Sequence, residues 1–316
     1  MKMPTRWCLS LSLMIGLLLG EPSRSTADEI GGKKKMPMNL TEAVERIRPC
    51  ILQIVFSATD LSQEFRNQIG RPFISSPIGT GFFLNSDGYV ITANHVINAG
   101  EQLIQDEKIQ AGKKRLQIGI AQPLSDNFRA NFTLVDFDLV DTDSRHDLAL
   151  LKLKHNPFSG QVRSGMVISG QEIPLVVGTP SLGLTRPKDG DAIALSGYPL
   201  FNPVLITNAG WLATLWGYDE AKQQMPGAPP GFFSTDIADT YLADVTVNPG
   251  NSGGPVYSVS NANVIGVAVA FQKTSVKDQQ DKDVIINKQQ LFYNSDLTVV
   301  VPARYIADLL KTNGVK

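Results

Sequence analysis

The sequence predicts an all-β protein of two antiparallel six-stranded β-barrels, with one short helix before them and one after. Three observations predict this class. About eleven or twelve short apolar or alternating runs succeed one another from Cys50 onward, with turn residues between them. No helical pattern separates the runs, which argues against a parallel α/β sheet. A long Gly- and Pro-rich stretch at 156–189 divides them into two series of similar size.

Each run is interpreted as one strand. After the apolar run at 50–56, the first series comprises 78–84, 89–93, 116–121, 132–140 and 148–153. The second series comprises 192–196, 204–207, 211–215, 241–247, 264–271 and 297–301. Between the runs at 78–84 and 89–93, Asp87 and Gly88 supply the positive φ angles that a tight hairpin requires. The predicted first barrel therefore covers about residues 50–155, and the second about 190–301.

Helical signals flank the strands. Residues 40–48 have helical spacing of apolar residues, with Asn39 or Thr41 as a possible N-cap and Pro49 as the stop. A C-terminal helix is predicted at 302–311, where proline occupies the first turn. A single domain of two barrels at 40–312 follows from these boundaries.

The N-terminus has the pattern of a secretory signal peptide. Lys2 and Arg6 precede an uncharged apolar stretch at 7–20, and Ser25 and Ala27 fit the cleavage-site positions before residue 28. The apolar stretch is shorter than the roughly 20 residues that a membrane-spanning helix needs. We therefore predict a signal peptide at 1–27 and a flexible leader at 28–39. The protein is expected to be exported, periplasmic or secreted, with no integral membrane span after cleavage.

Composition excludes several function classes. The chain has 29 Lys and Arg residues against 30 Asp and Glu residues, so no basic surface for nucleic acid is indicated. Three histidines and two cysteines are too few for a zinc finger, an iron–sulfur cluster or a disulfide scaffold. No metal and no cofactor are predicted. Cys50 lies in an apolar run, which favours a buried, inert thiol.

The strongest chemical signal is the segment 248–255, Asn-Pro-Gly-Asn-Ser-Gly-Gly-Pro, between two predicted strands. Flanking glycines would hold Ser252 on a tight turn with its hydroxyl exposed. Successive N–H groups of such a turn can point into one pocket, as an oxyanion hole requires. The predicted donors are the N–H groups of Gly250 and Ser252. The alternative interpretation is a plain glycine-rich turn.

A serine nucleophile needs a base and an orienting carboxylate. His95 is the candidate base because it stands where a strand ends and the chain turns. Asp147 is the candidate carboxylate because it precedes the apolar run that would carry it into the interior. His155 is expected to be exposed, and His146 to point away from Asp147, because consecutive strand residues face opposite sides. Four further carboxylates are interpreted as a solvated acidic strand edge, namely Asp136, Asp138, Asp141 and Asp143.

Three ordered motifs carry a family resemblance: 92–96 (Thr-Ala-Asn-His-Val), 147–151 (Asp-Leu-Ala-Leu-Leu) and 250–255 (Gly-Asn-Ser-Gly-Gly-Pro). In this order they resemble the trypsin-like, chymotrypsin-fold serine peptidases. The segment 79–83 (Gly-Thr-Gly-Phe-Phe) makes the chain most similar to the HtrA/Deg-type protease domain. The likeness covers about 40–310. It implies a serine endopeptidase with a His95–Asp147–Ser252 triad and an acyl-enzyme, and a role in protein quality control on unfolded or exported polypeptides.

The resemblance also implies a substrate pocket with Thr246 at its base and Val267, Ala268 and Val269 in its wall. The absence of a carboxylate at the base argues against Lys or Arg preference and favours small to medium apolar side chains. About a dozen residues follow Pro302, so no peptide-binding PDZ domain is expected, and the oligomeric state stays open. The alternative function is a catalytically silent binding module whose cleft is closed by the long loops at 156–189, 217–235 and 273–294.

Overall fold

Strands dominate the part of the chain that the computed structural model describes, which is residues 37–122, 131–164, 167–168, 170–202, 204–214, 239–286 and 289–315. The predicted signal peptide at 1–27 and most of the predicted leader lie outside these ranges. Within them, no helix has the length and apolar character needed to cross a bilayer.

The first half of the chain forms one antiparallel sheet with strand order β5-β4-β1-β2-β3-β7-β6. Its strands are β1 (Ile51–Leu61), β2 (Ile74–Phe83), β3 (Tyr89–Ala93), β4 (Ala111–Gln122), β5 (Asn131–Val135), β6 (Phe137–Asp143) and β7 (Leu148–Leu153). The sheet curls into a half-barrel, with β5 and β6 at its edges. It has seven strands instead of six because the predicted run 132–140 breaks at Asp136 into two strands.

The second half forms a closed six-stranded barrel with strand order β10-β11-β12-β17-β14-β13. Between the two sheets in the sequence, β8 (Val167–Ile168) and β9 (Gln171–Glu172) form a small hairpin in which each strand has two residues. The barrel strands are β10 (Ala192–Gly197), β11 (Ile206–Thr214), β12 (Tyr241–Asp244), β13 (Pro255–Ser258), β14 (Val264–Ser275) and β17 (Phe292–Pro302), and a second small hairpin comprises β15 (Ile285–Ile286) and β16 (Gln289–Gln290). The all-β class of the prediction is confirmed. The prediction missed β13 and divided β11 into two strands.

The described helices are α1 (Leu40–Ile47), α2 (Gln63–Ile69), α3 (Asn94–Gln105) and α4 (Ala303–Thr312). The prediction included only the first and last of them. Asn39 caps α1 in a reciprocal capping box with Glu42, which satisfies two N–H groups that a helix start leaves free. Both internal helices connect strands, so the assumption that no helix interrupts the strands was wrong at these two places.

Apolar side chains of both sheets meet in a shared core. Leu52 and Ile91 of the first sheet belong to the same buried cluster as Val267 and Val299 of the barrel. Central strand β1 is almost completely buried, whereas edge strand β6 exposes most of its residues. Charged residues on an edge strand discourage pairing with another chain. Cys50 lies buried directly before β1, and burial raises the pKa of its thiol to about 12.

Candidate active site

His95 and Asp147 are brought together by pairing of β3 with β7. These strands are antiparallel, with Ala93 at the end of β3 opposite Leu148 at the start of β7. His95 is the second residue of α3, which begins directly after β3, and Asp147 directly precedes β7. The prediction placed His95 at a strand end, and the structure adds that a helix starts there. Sheet register therefore joins two residues that are 52 positions apart in sequence.

Both oxygens of the Asp147 carboxylate bind His95. Oδ2 lies 2.6 Å from Nδ1 of the imidazole, and Oδ1 accepts a hydrogen bond of 2.8 Å from the His95 backbone N–H. A carboxylate can only accept, so in the neutral imidazole the proton is on Nδ1 and Nε2 keeps its lone pair. The ring therefore carries a free basic nitrogen, as general-base chemistry requires.

Solvent reaches the two partners unequally. The His95 side chain is 47% exposed and the Asp147 side chain 17% exposed. Asp147 adopts a left-handed backbone conformation with φ of +55°, which Asp tolerates better than most residues. Its own carbonyl accepts a 2.9 Å hydrogen bond from the N–H of Asn94. A backbone hydrogen bond therefore holds Asp147, and its carboxylate is largely shielded from solvent. About half of the His95 side chain is exposed.

The serine segment begins with a tight turn at 248–251. The N–H of Asn251 donates to the carbonyl of Asn248 at 3.0 Å, and Gly250 at the third position has φ of +99°. Proline at the second position and a positive φ at the third are the marks of a type II turn. A side chain on Gly250 would collide with the carbonyl of Tyr198, so only glycine fits there.

Every carbonyl from 249 to 252 accepts a hydrogen bond. The donors, in order, are the N–H of Leu200 (2.6 Å), the hydroxyl of Thr80 (2.6 Å), the N–H of Gly254 (2.9 Å) and the N–H of Thr80 (2.9 Å). The N–H groups of Asn251 and Gly253 donate within the fold. Among the described residues, those of Gly250 and Ser252 have no acceptor. Since nearly all buried N–H groups are paired, two free ones separated by a single residue are unusual.

Gly253 packs the serine segment closely against the backbone that precedes His95. A side chain there would collide with Thr80 and Thr92, and would stand 2.9 Å from the backbone nitrogen of Ala93, two residues before His95. Half-buried Ser252 therefore lies beside the start of α3. Within the described ranges no hydrogen bond joins the Ser252 hydroxyl and the His95 ring. Such bonds are often long in structures without substrate.

The predicted pocket residues differ in exposure. Thr246 is exposed, and its carbonyl accepts a 2.8 Å hydrogen bond from the Asn208 amide. Val267 and Ala268 are fully buried, and Val269 is 3% exposed. The assignment of these four residues to substrate binding stays a prediction.

Two features were missed in the sequence. Asp143, interpreted as part of a solvated edge, pairs through Oδ2 with Nδ1 of His146 at 2.6 Å, and the spacing Asp-x-x-His could have indicated it. The second feature is Thr80, whose buried side chain reaches the serine segment. His155 is exposed, as expected.

The family model described as "Trypsin-like peptidase domain" matches residues 79–267 of this chain. The chain belongs to the trypsin-like peptidase family. The matched segment contains the His95–Asp147 pair and the whole serine turn. Membership confirms the family that the three ordered motifs predicted.

Relatives of this chain are named as periplasmic enzymes. The "Probable periplasmic serine endoprotease DegP-like" of Pseudomonas putida (strain W619) is 27% identical over 259 residues, covering 79% of this chain and 41% of the relative. The protein of the same name from Bartonella henselae is 28% identical over 194 residues, covering 61% of this chain and 28% of the relative. The chain thus spans about two fifths or less of the length of these relatives.

A solved structure supports the fold of this chain. The structure titled "HtrA-type protease AlgW with decapeptide" has a TM-score of 0.52 and 18% sequence identity, and the match covers 87% of this chain and 67% of that one. At this identity the likeness concerns the fold. The predicted similarity to the HtrA/Deg-type protease domain is confirmed.

Proposed function

We propose that this protein is a serine endopeptidase that cuts peptide bonds with a His95–Asp147–Ser252 triad. The observation that carries the proposal is the hydrogen-bonding pattern of the serine turn, whose two free N–H groups belong to Gly250 and Ser252. They are the two donors that the sequence predicted for an oxyanion hole. Preorganised donors of this kind each contribute roughly 3–4 kcal/mol to transition-state stabilisation.

The reaction is acyl transfer to Ser252 followed by hydrolysis. Nε2 of His95 takes the hydroxyl proton as Oγ of Ser252 forms a bond to the carbonyl carbon. The negative charge on the carbonyl oxygen is stabilised by the N–H groups of Gly250 and Ser252. His95 gives its proton to the leaving amine as the C–N bond breaks, and Asp147 keeps the imidazole oriented. Water then attacks the acyl-enzyme with His95 again as base, which frees Ser252.

The proposed substrates are unfolded or exported polypeptides in the periplasm. This part rests on the names of the relatives, which are periplasmic endoproteases, together with the predicted signal peptide at 1–27. A role in protein quality control is consistent with such substrates. At the cleaved position we propose small to medium apolar side chains, because Thr246 carries no charge to attract Lys or Arg.

The decisive test replaces Ser252 with Ala. We expect the rate of hydrolysis of fluorescently labelled, denatured casein to fall by about 10⁶-fold, because the attacking atom is lost. Ser258→Ala is the matched control, since Ser258 lies in the neighbouring strand and its hydroxyl contacts only Ser260 among the described residues. It should leave the rate unchanged. Undiminished cleavage by the Ser252 variant would contradict the proposal.

The second candidate is the silent binding module. One observation favours it, namely that no hydrogen bond connects Ser252 with His95 in the described part of the chain. An organophosphonate probe that labels activated serines distinguishes the two functions. Stoichiometric labelling that disappears in Ser252→Ala supports the peptidase, whereas a folded protein that binds unfolded casein without being labelled supports the binding module.

A further inference from the structure

Thr80 of β2 makes four hydrogen bonds at the junction of the two sheets. Its N–H donates to the carbonyl of Ser252 at 2.9 Å, and its hydroxyl donates to the carbonyl of Gly250 at 2.6 Å. The hydroxyl also accepts from the N–H of Tyr198 at 3.0 Å. The Thr80 carbonyl accepts from the hydroxyl of Thr92 at 2.7 Å. The residue is completely buried, so water cannot substitute for these partners.

The bonds to Gly250 and Ser252 fix two peptide units of the serine turn. The N–H and C=O groups of a trans peptide point in opposite directions, so holding one carbonyl orients the entire unit. Thr80 holds the Gly250–Asn251 unit and the Ser252–Gly253 unit. The free N–H groups of Gly250 and Ser252 belong to the units that directly precede these two. The unit with the Ser252 N–H is therefore flanked on both sides by held units, and the unit with the Gly250 N–H on one side, so a residue of the first sheet restricts how both donors can rotate.

The hydroxyl has a fixed direction of donation. Because its oxygen accepts from Tyr198, its proton is directed to Gly250, which gives the sequence Tyr198 N–H to Thr80 O–H to Gly250 C=O. The β-branched side chain also restricts rotation about χ1. Removal of the hydroxyl would leave one buried donor and one buried acceptor without partners. The Gly250–Asn251 peptide could then rotate, and the two neighbouring units, which carry the Gly250 and Ser252 N–H groups, would lose a fixed neighbour.

We propose that the Thr80 hydroxyl is a positioning residue that sets the geometry of the oxyanion hole. The inference rests on the proposed function, since the oxyanion hole acts only if Ser252 attacks a carbonyl. Thr80 touches no reacting atom. Its effect is transmitted through the Gly250–Asn251 peptide, and it therefore affects the transition state more than substrate binding.

The test compares Thr80→Val, which has the same shape without the hydroxyl, with Thr80→Ser, which keeps it. For Thr80→Val we expect kcat to fall by about 10- to 100-fold with KM nearly unchanged, less than the roughly 100- to 1,000-fold seen when a donor itself is removed. Thr80→Ser should recover most of the rate. Ser57→Ala is the control for loss of a buried hydroxyl, because the Ser57 hydroxyl donates to the Gln117 side chain within the first sheet. It should leave kcat unchanged.

The affinity of a peptide trifluoromethyl ketone is a measurement that would not change if Thr80 had only a structural role. Its adduct with Ser252 carries an oxyanion, so its affinity for Thr80→Val should fall by the same factor as kcat/KM. The affinity of the matched peptide amide, which forms no adduct, should not change. A Thr80→Val protein with wild-type kcat, or with equal losses for ketone and amide, would overturn the inference.

Failure of the proposed function would be seen separately, as absence of Ser252-dependent turnover in the unsubstituted protein. In that case a crystal structure of Thr80→Val still decides the inference. A reoriented Gly250–Asn251 peptide supports it, and an unchanged peptide overturns it. Thermal unfolding of each variant, measured alongside, separates loss of rate from loss of fold.

Discussion

Two His–Asp pairs in this molecule share one geometry and differ in their surroundings. In each, a carboxylate oxygen lies 2.6 Å from Nδ1 of the imidazole, and the other oxygen accepts from the same histidine's backbone N–H, at 2.8 Å for His95–Asp147 and 3.1 Å for His146–Asp143. The His95 side chain is 47% exposed, but that of His146 is only 10% exposed. The His146 ring stacks on the Tyr305 ring, with 3.6 Å between the ring centroids. Pairing with a carboxylate therefore does not by itself make a base available to substrate.

The two pairs also arise differently. Asp143 and His146 are three residues apart and meet within the turn that joins β6 to β7. His95 and Asp147 meet only after β3 has paired with β7. The local pair packs against α4, whereas His95 lies at the start of α3, where Gly253 of the serine segment approaches the backbone of Ala93. The comparison teaches that the exposure of the imidazole, more than its bond to a carboxylate, distinguishes a candidate catalytic histidine from a structural one.

The largest expected effect comes from replacing each histidine with Gln. We expect His95→Gln to reduce kcat for casein or a fluorogenic peptide by about 10⁶-fold, because the proposed general base for Ser252 is lost. His146→Gln should leave kcat nearly unchanged, since that ring is packed away from the serine turn. Equal losses in the two variants would break the distinction.

Substitutions of the two carboxylates should differ in their effect on kcat in the same way as those of the two histidines. Asp147→Asn is expected to reduce kcat by about 10⁴-fold, because an amide can stabilise the wrong tautomer of His95. Asp143→Asn should change kcat little and instead lower the free energy of unfolding by about 1–3 kcal/mol, since a buried ring nitrogen loses its charged partner. Turnover and chemical denaturation of both variants check this prediction. It would be contradicted if Asp143→Asn were the slower enzyme while remaining equally stable.

Much of the fold could be predicted because strand signals are local. The bounds of β3 and β7 follow from short apolar runs between clear turn signals, and both were predicted without error. Helix α3 was missed although its apolar residues recur with helical spacing, at 96, 97, 100, 103 and 104. Strand β13 is only four residues long and directly follows the serine turn, so its pattern is too short to stand out.

The candidate site could be predicted only in part. Ser252, His95 and Asp147 stand in ordered motifs, and the turn residues around Gly250 indicate N–H donors. The role inferred for Thr80 could not be predicted, because it depends on contact between residues 170 positions apart in two different sheets. Sequence spacing carries no information about such a contact until both sheets have formed.

The smallest effect concerns the attachment of the second pair to α4. Tyr305 stacks on His146, and its hydroxyl donates to Asp239 at 2.6 Å, a carboxylate that also pairs with Arg304. Tyr305→Phe keeps the ring and removes one hydrogen bond, so we expect the free energy of unfolding to fall by about 1 kcal/mol. Tyr305→Ala removes the stack as well and should lower it further, with kcat unchanged in both variants.

Urea denaturation of the two Tyr305 variants, followed by tryptophan fluorescence, measures this difference. Because Asp239 keeps its ion pair with Arg304 in Tyr305→Phe, the carboxylate is not left without a partner. Most of the stabilisation from Tyr305 should therefore come from ring contact with His146. If Tyr305→Phe were as unstable as Tyr305→Ala, the hydroxyl would be the important group and the stacking contact would be incidental. If either variant lost activity while remaining folded, the second His–Asp pair would be coupled to the first through the adjacent Asp147, and the two pairs would form a single functional unit.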